Sequence, residues 1–135
     1  MAVLENTNER PSLDEWLKEA KASKDASHTG MYLFHTGVVR EDSRAFVRDN
    51  AKESKPVRQM QLSVDRSKVD IAVSETLSRN GIFHVKVWLN EGLLSVGDEI
   101  MIVLIGGDIR PNVLDAIQFL VGKIKKECVS EKEIF

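Results

Sequence analysis

Cysteine is almost absent from these 135 residues: Cys128 stands alone, so neither an internal disulfide nor a cysteine-based zinc site can be assembled. A lone thiol fits a reducing compartment. Long apolar runs are missing as well, none approaching the ~20 residues of a membrane-crossing helix. The first ten residues, MAVLENTNER, carry neither the basic nor the apolar segment of a signal peptide. Together these absences predict a cytoplasmic protein. An excess of positive charge is also lacking: Lys+Arg 19 against Asp+Glu 21 leaves −2. No global field draws such a chain to nucleic acid or to an anionic membrane, so any anion site has to be local. The three histidines, His28, His35 and His84, have no metal-ligand spacing and read as loop or sheet residues. HExxH, GxxxxGK[ST] and GxGxxG are all missing, and the expectation is no metal and no cofactor.

What is present, 42% hydrophobic and 30% charged residues, suits one domain with a core of its own over residues 1–135. In SLDEWLKEAKA, residues 12–22, Ser12 and Glu15 stand at capping-box spacing and Leu13, Trp16, Leu17 and Ala20 recur at helical intervals. MYLFHTGVVR, residues 31–40, reads as a strand lying centrally in a sheet, with Gly37 marking a bulge or a close backbone approach. EDSRAFVRDNAKESKP, residues 41–56, is polar and without an apolar period, which predicts a mobile loop rather than an element. VRQMQLSV, residues 57–64, reads as a strand. In RSKVDIAVSETLSRNG, Val69, Ala72, Val73 and Leu77 form a helical stripe stopped by Asn80 and Gly81. IFHVKVWL alternates as a half-buried strand, EGLLSVGDE is a turn-rich connection, and IMIVLIGG is a buried central strand. Pro111 then opens a last helix with Val113, Ile117, Leu120, Ile124 and Cys128 on one face, and the closing KIKKECVSEKEIF is read as its end. Helices packed on a mixed or antiparallel sheet make this an α+β domain.

Chemistry concentrates in basic residues at element ends. Arg40 closes the first strand, Arg110 precedes the last helix, and Lys123, Lys125 and Lys126 crowd its final turns. Each also has an ordinary role: surface ion pairs worth roughly 0–1 kcal/mol for the arginines, and complementing a helix dipole for the lysines. Cys128 lies on the apolar stripe, where a small buried hydrophobe explains it better than a nucleophile. The glycine pair in LIGGD lets a ligand or partner approach the backbone at Gly106 and Gly107.

These residues fall in segments that resemble one family, the large (catalytic) subunit of molybdopterin synthase, or MoaE. GMYLFHTGVVR is similar to its first core strand, G-x-x-x-x-F-x-G-x-V-R, with Gly30, Gly37, Val39 and Arg40 in step and phenylalanine at 34. GLLSVGDEIMIV is similar to its G-x-L-x-x-G-[DE]-x-x-V turn and strand. IRPNVLDAIQFLVGKIK resembles its H-R-x-x-A-F helix, with Arg110, Ala116 and Lys125 matching, and Lys132 stands where the family has the lysine of P-[IL]-W-K-K-E.

The resemblance implies an α/β hammerhead subunit, homodimeric and forming a heterotetramer with a small ubiquitin-like sulfur carrier ending in Gly-Gly. That carrier's thiocarboxylate gives sulfur to cyclic pyranopterin monophosphate in molybdenum cofactor biosynthesis. By position, Arg40 and Arg110 bind the substrate's phosphate and pterin, Lys125 is the principal catalytic lysine and Lys132 assists it. The chain departs from the pattern at Leu89 and Asn90, which replace a His-Arg pair, at Ile109, which replaces a histidine, and at Val129–Lys132, where P-x-W-K reads VSEK. A noncatalytic scaffold that binds the carrier without turnover is the alternative, and an unrelated α+β small-ligand domain is a third reading.

Overall fold

The computed structural model describes residues 1–5, 7–49 and 55–135. In chain order the elements are β1 (Ala2–Glu5), α1 (Leu13–Lys21), a 3₁₀ turn (Ala26–His28), β2 (Met31–Val38), α2 (Arg44–Asp49), β3 (Gln59–Val64) and α3 (Arg66–Leu77). They continue with β4 (Ile82–Leu89), β5 (Gly92–Ser95), β6 (Glu99–Gly107), α4 (Arg110–Lys123), a π turn (Ile124–Cys128) and β7 (Val129–Ile134). One sheet has the order β1-β4-β6-β2, with β1 parallel to β4 and the other pairs antiparallel; β5-β3-β7 form a second, antiparallel sheet. The α+β class with a mixed sheet is therefore what the chain adopts.

Two clusters explain the layers. Val85, Val87 and Leu89 of β4 and Met101, Val103 and Ile105 of β6 point to one face. There they bury Val69, Ala72 and Val73 of α3, Val113, Ala116 and Leu120 of α4, and Met60 and Leu62 of β3. The alternate residues Trp88, Ile102 and Leu104 point the other way and bury Trp16 and Ala20 of α1. This second cover is why β6 is apolar at every position after Glu99. It also changes β4, which the alternation predicted to be half-buried: α1 shields its outer face down to Lys86, only 4% exposed. The Lys86 ammonium is compensated by Glu19 at 2.9 Å and Glu5 at 3.6 Å and lies over the Trp16 ring at 5.1 Å.

Local signals hold where chemistry is short-range. Ser12 caps α1 by accepting from the Glu15 N–H, and the register of β2 on β6 shifts between Gly37 and Val38, the bulge that Gly37 announced. Cys128 is buried in the main cluster and burial pushes its thiol up, as its place on the apolar stripe required.

Several expectations are corrected. β2 is an edge strand, because β6 takes the place between it and β4. Ala2–Glu5 forms a strand that pairs with β4, and Gly92–Ser95 forms one beside β3; both are too short for a period to show. Within the stretch 41–56 expected as a loop, Arg44–Asp49 is helical. Ser43, 1% exposed, accepts from the Phe46 N–H, and β7 carboxylates supply further partners. Residues 50–54 of that stretch lie outside the described residues. The glycine pair admits the protein's own packing: a Cβ on Gly106 would sit 2.8 Å from the Tyr32 ring, and one on Gly107 2.6 Å from Val113 Cγ2. Finally, the last helix does not run on through KIKKECVSEKEIF. A π turn closes it, with the Val129 N–H reaching back to the Ile124 carbonyl, and β7 pairs with β3.

Candidate functional site

The bulge at Gly37 turns the end of β2 toward α2, while the π turn swings the end of α4 back into β7. Between these ends lies a cavity of ≈ 630 Å³. β2 and the residues after it contribute His35 and Arg40, α2 contributes Arg44 and Arg48, the π turn Lys125 and Lys126, and β7 Glu131 and Glu133. Five basic side chains face two carboxylates, an excess of three positive charges in a chain whose net charge is −2.

The two carboxylates are already engaged. Glu131 Oε2 pairs with Arg44 Nη2 at 3.0 Å, and Glu133 accepts from the Arg44 backbone N–H at 3.1 and 3.3 Å, holding the first turn of α2. The Nε of Arg40 donates to the Asp42 carbonyl at 3.0 Å, which steadies the guanidinium while leaving its charge uncompensated. Among the described residues no carboxylate lies within ion-pair distance of Arg40, Arg48, Lys125 or Lys126. Planar guanidinium groups beside mobile ammoniums suit phosphate or carboxylate recognition.

His35 lies on the wall of this cavity, on the face of β2 that also carries Leu33 toward α4. Its Nε2 is buried and has no hydrogen-bond partner among the described residues. Burial, and behind it the Lys125 ammonium, holds the imidazole below the ordinary histidine range.

Of the four residues proposed from the sequence, the structure brings Arg40 and Lys125 into one cavity and leaves two elsewhere. Arg110 is exposed at the opposite end of α4, about 20 Å along the axis from Lys125. Lys132 lies outside the cavity for a different reason. In a continuing helix it would share a face with Lys125, but in β7 the period is two, so Glu131 and Glu133 line the cavity and Lys132 does not. Sequence reasoning did not place His35, Arg44 or Arg48 at a site and gave Lys126 a helix-end role. The i, i+4 spacing of Arg44 and Arg48 was a readable signal of one helical face, and His35 sits two residues from Gly37 on the same side of the strand.

A family model described as MoaE protein matches residues 7–127, most of the chain.

The chain belongs to the MoaE family.

The solved structures agree on the fold. Molybdopterin synthase from Staphylococcus aureus is 17% identical with a TM-score of 0.70, covering 93% of this chain and 87% of that one. Molybdopterin cofactor biosynthesis protein E from Burkholderia multivorans is 18% identical with a TM-score of 0.74, covering 100% and 84%. A protein–protein complex of subunits 1 and 2 of molybdopterin-converting factor from Helicobacter pylori contains a chain 14% identical, with a TM-score of 0.64 and coverage of 90% and 74%. No curated protein matches this MoaE chain at the level of sequence.

Proposed function

We propose that this MoaE chain is the large subunit of a molybdopterin synthase, transferring sulfur from a thiocarboxylated, ubiquitin-like carrier to cyclic pyranopterin monophosphate. Family membership supports the broader role, molybdenum cofactor biosynthesis. The Helicobacter pylori complex supports a small partner subunit. The observation that carries the reading is the net-positive cavity that joins Arg40 to Lys125. Both reactants are anions, a thiocarboxylate and a phosphate ester, and a cavity of this charge draws them together.

In this reading Arg40 holds the phosphate through paired N–H donors, and Lys125 stabilises charge and gives a proton to the oxygen substituent that the thiocarboxylate sulfur displaces from the pterin side chain; water then cleaves the acyl–sulfur bond and the carrier leaves as a carboxylate. Arg110 cannot reach the same cavity within one chain; a homodimer in which a second copy brings its α4 N-terminus to the cavity reconciles its proposed role with its position. The test is reconstitution with thiocarboxylated carrier and pterin precursor. Turnover is expected, with Lys125→Ala reducing it ~10²- to 10⁴-fold. Absence of product at high enzyme concentration sinks the catalytic claim.

A noncatalytic carrier-binding scaffold is favoured by one observation: two carboxylates line the cavity while Lys132 does not. It predicts carrier binding that Lys125→Ala leaves unchanged, with no turnover in the parent protein.

A further inference from the structure

Among the cavity residues, two carry a buried polar atom without a partner among the described residues, His35 Nε2 and Glu131 Oε1; Glu131 is held by Arg44 through its other oxygen, whereas no such ion pair holds His35. A buried ring nitrogen without a partner is destabilising, and none of the described residues compensates Nε2. No packing requirement for an imidazole is visible either: its β2 neighbours on the same face, Leu33 and Gly37, are apolar, and its partner across the ladder is Val103. The terminal torsion of histidine is broad and two-fold, so the ring can present a nitrogen to the cavity without backbone movement.

The surroundings say which protonation state each condition favours. The cavity is shared with His35 by Arg40 from the extension of β2, Arg44 and Arg48 from α2, Lys125 and Lys126 from the π turn, and Glu131 and Glu133 from β7, and of these the Lys125 ammonium bears on the ring. Glu131 is paired with Arg44 and Glu133 accepts from the Arg44 backbone N–H, so the uncompensated charge near the ring is positive and opposes an imidazolium. A dianion held between Arg40 and Lys125 reverses that balance, since it cancels the repulsion and offers the N–H an acceptor.

We propose that His35 is a ligand-contacting residue of this cavity that takes up a proton when a dianion of the phosphate or sulfate class binds beside Arg40 and Lys125. The inference deepens the proposed function by assigning a binding role to a residue outside the arginine and lysine set, and it rests on that reading only for the natural identity of the anion. Binding by linkage strengthens as pH falls from 8 toward 6, by up to about tenfold for each pH unit through which the ring's proton affinity rises on binding. The proton comes from the buffer and returns to it when the anion leaves.

Sulfate is the probe, because its charge stays at −2 throughout this range. Calorimetric titration of the full chain in buffers of different ionisation enthalpy is expected to show uptake of up to one proton per sulfate near pH 7. His35→Phe should weaken binding at pH 6 and remove the uptake. His35→Gln, which hydrogen-bonds without titrating, should recover part of the affinity with no uptake. Proton uptake that persists in His35→Phe, or a parent protein that binds no sulfate, overturns the proposal. Failure of the synthase assay alongside His35-dependent uptake would remove the sulfur-transfer reading and leave this one standing.

Discussion

His84 shows how a single side chain sets a property of the whole fold. It is 1% exposed on the β4 face that α1 covers, and neither ring nitrogen has a partner among the described residues. Burial, then the N-terminal ammonium and Lys86, against an opposing pull from Glu19, lower its pKa to about 4. The folded state therefore binds this proton less well than the unfolded chain, whose histidine titrates near 6.5. Stability is full above pH 6.5, falls as pH drops from 6.5 to about 4, and is level below that as far as His84 is concerned, a loss of about 3 kcal/mol. Urea midpoints measured across this range should decline in the parent protein and decline less steeply in His84→Phe, which keeps the share due to His35; an unchanged slope in the variant rejects the assignment. At the same scale, Lys132→Ala should leave turnover within about twofold, the usual effect of a surface substitution, whereas Lys125→Ala should not. Arg40 and Lys125 could be read from the sequence because they end elements whose signals were clear. His84 could not, since its environment is supplied by α1, some 65 residues away.

The elements at the cavity owe their form to one another. α2 is only six residues long and exposes Phe46 and Val47, so it has little burial to stabilise it. Its order rests on Ser43 at its start and on Glu131 and Glu133 from β7. Ser43→Ala should cost about 1 kcal/mol of local stability, raising amide exchange in α2 about fivefold while the rest of the chain exchanges as before. Those β7 partners are more than 80 residues away in sequence, which is why a charged stretch without an apolar period reads as a loop. β7 itself was hidden for the same reason: its pairing with β3 decides it against helix continuation, and with it the side on which Lys132 falls. By contrast β6 and α4 declared themselves through apolar patterns long enough to stand alone. Their close approach at Gly107, where Val113 and the Gly81 carbonyl lie under 3 Å from an added Cβ, predicts that Gly107→Ala costs about 1–3 kcal/mol. A lower urea midpoint with an unchanged m-value would bear this out.

On the scale of the whole molecule, a chain of net charge −2 gathers three surplus positive charges at one cavity. Anion binding should therefore weaken as an indifferent chloride salt is raised, since screening shortens the reach of the field to about 8 Å at physiological ionic strength. The assembly has a test of its own. If Arg110 serves the cavity of a second copy, mixing Arg110→Ala and Lys125→Ala chains restores about a quarter of parental turnover after random exchange, because half of the mixed dimers' sites are intact. No recovery on mixing, with exchange verified, excludes that arrangement.

The sequence by itself determined the α+β class, the apolar strand and helices that build the core, an irregularity at Gly37 and the burial of Cys128. Each is set by periodicity or local stereochemistry within a few residues. Tertiary structure alone decided the edge position of β2, the helix in the charged stretch and the strand at the C-terminus, because all three depend on partners distant in the chain. It also decided the membership of the cavity. Lys125 enters, Lys132 is turned away by the two-residue period of β7, and His35 is brought into a positive field that its neighbours in sequence do not create.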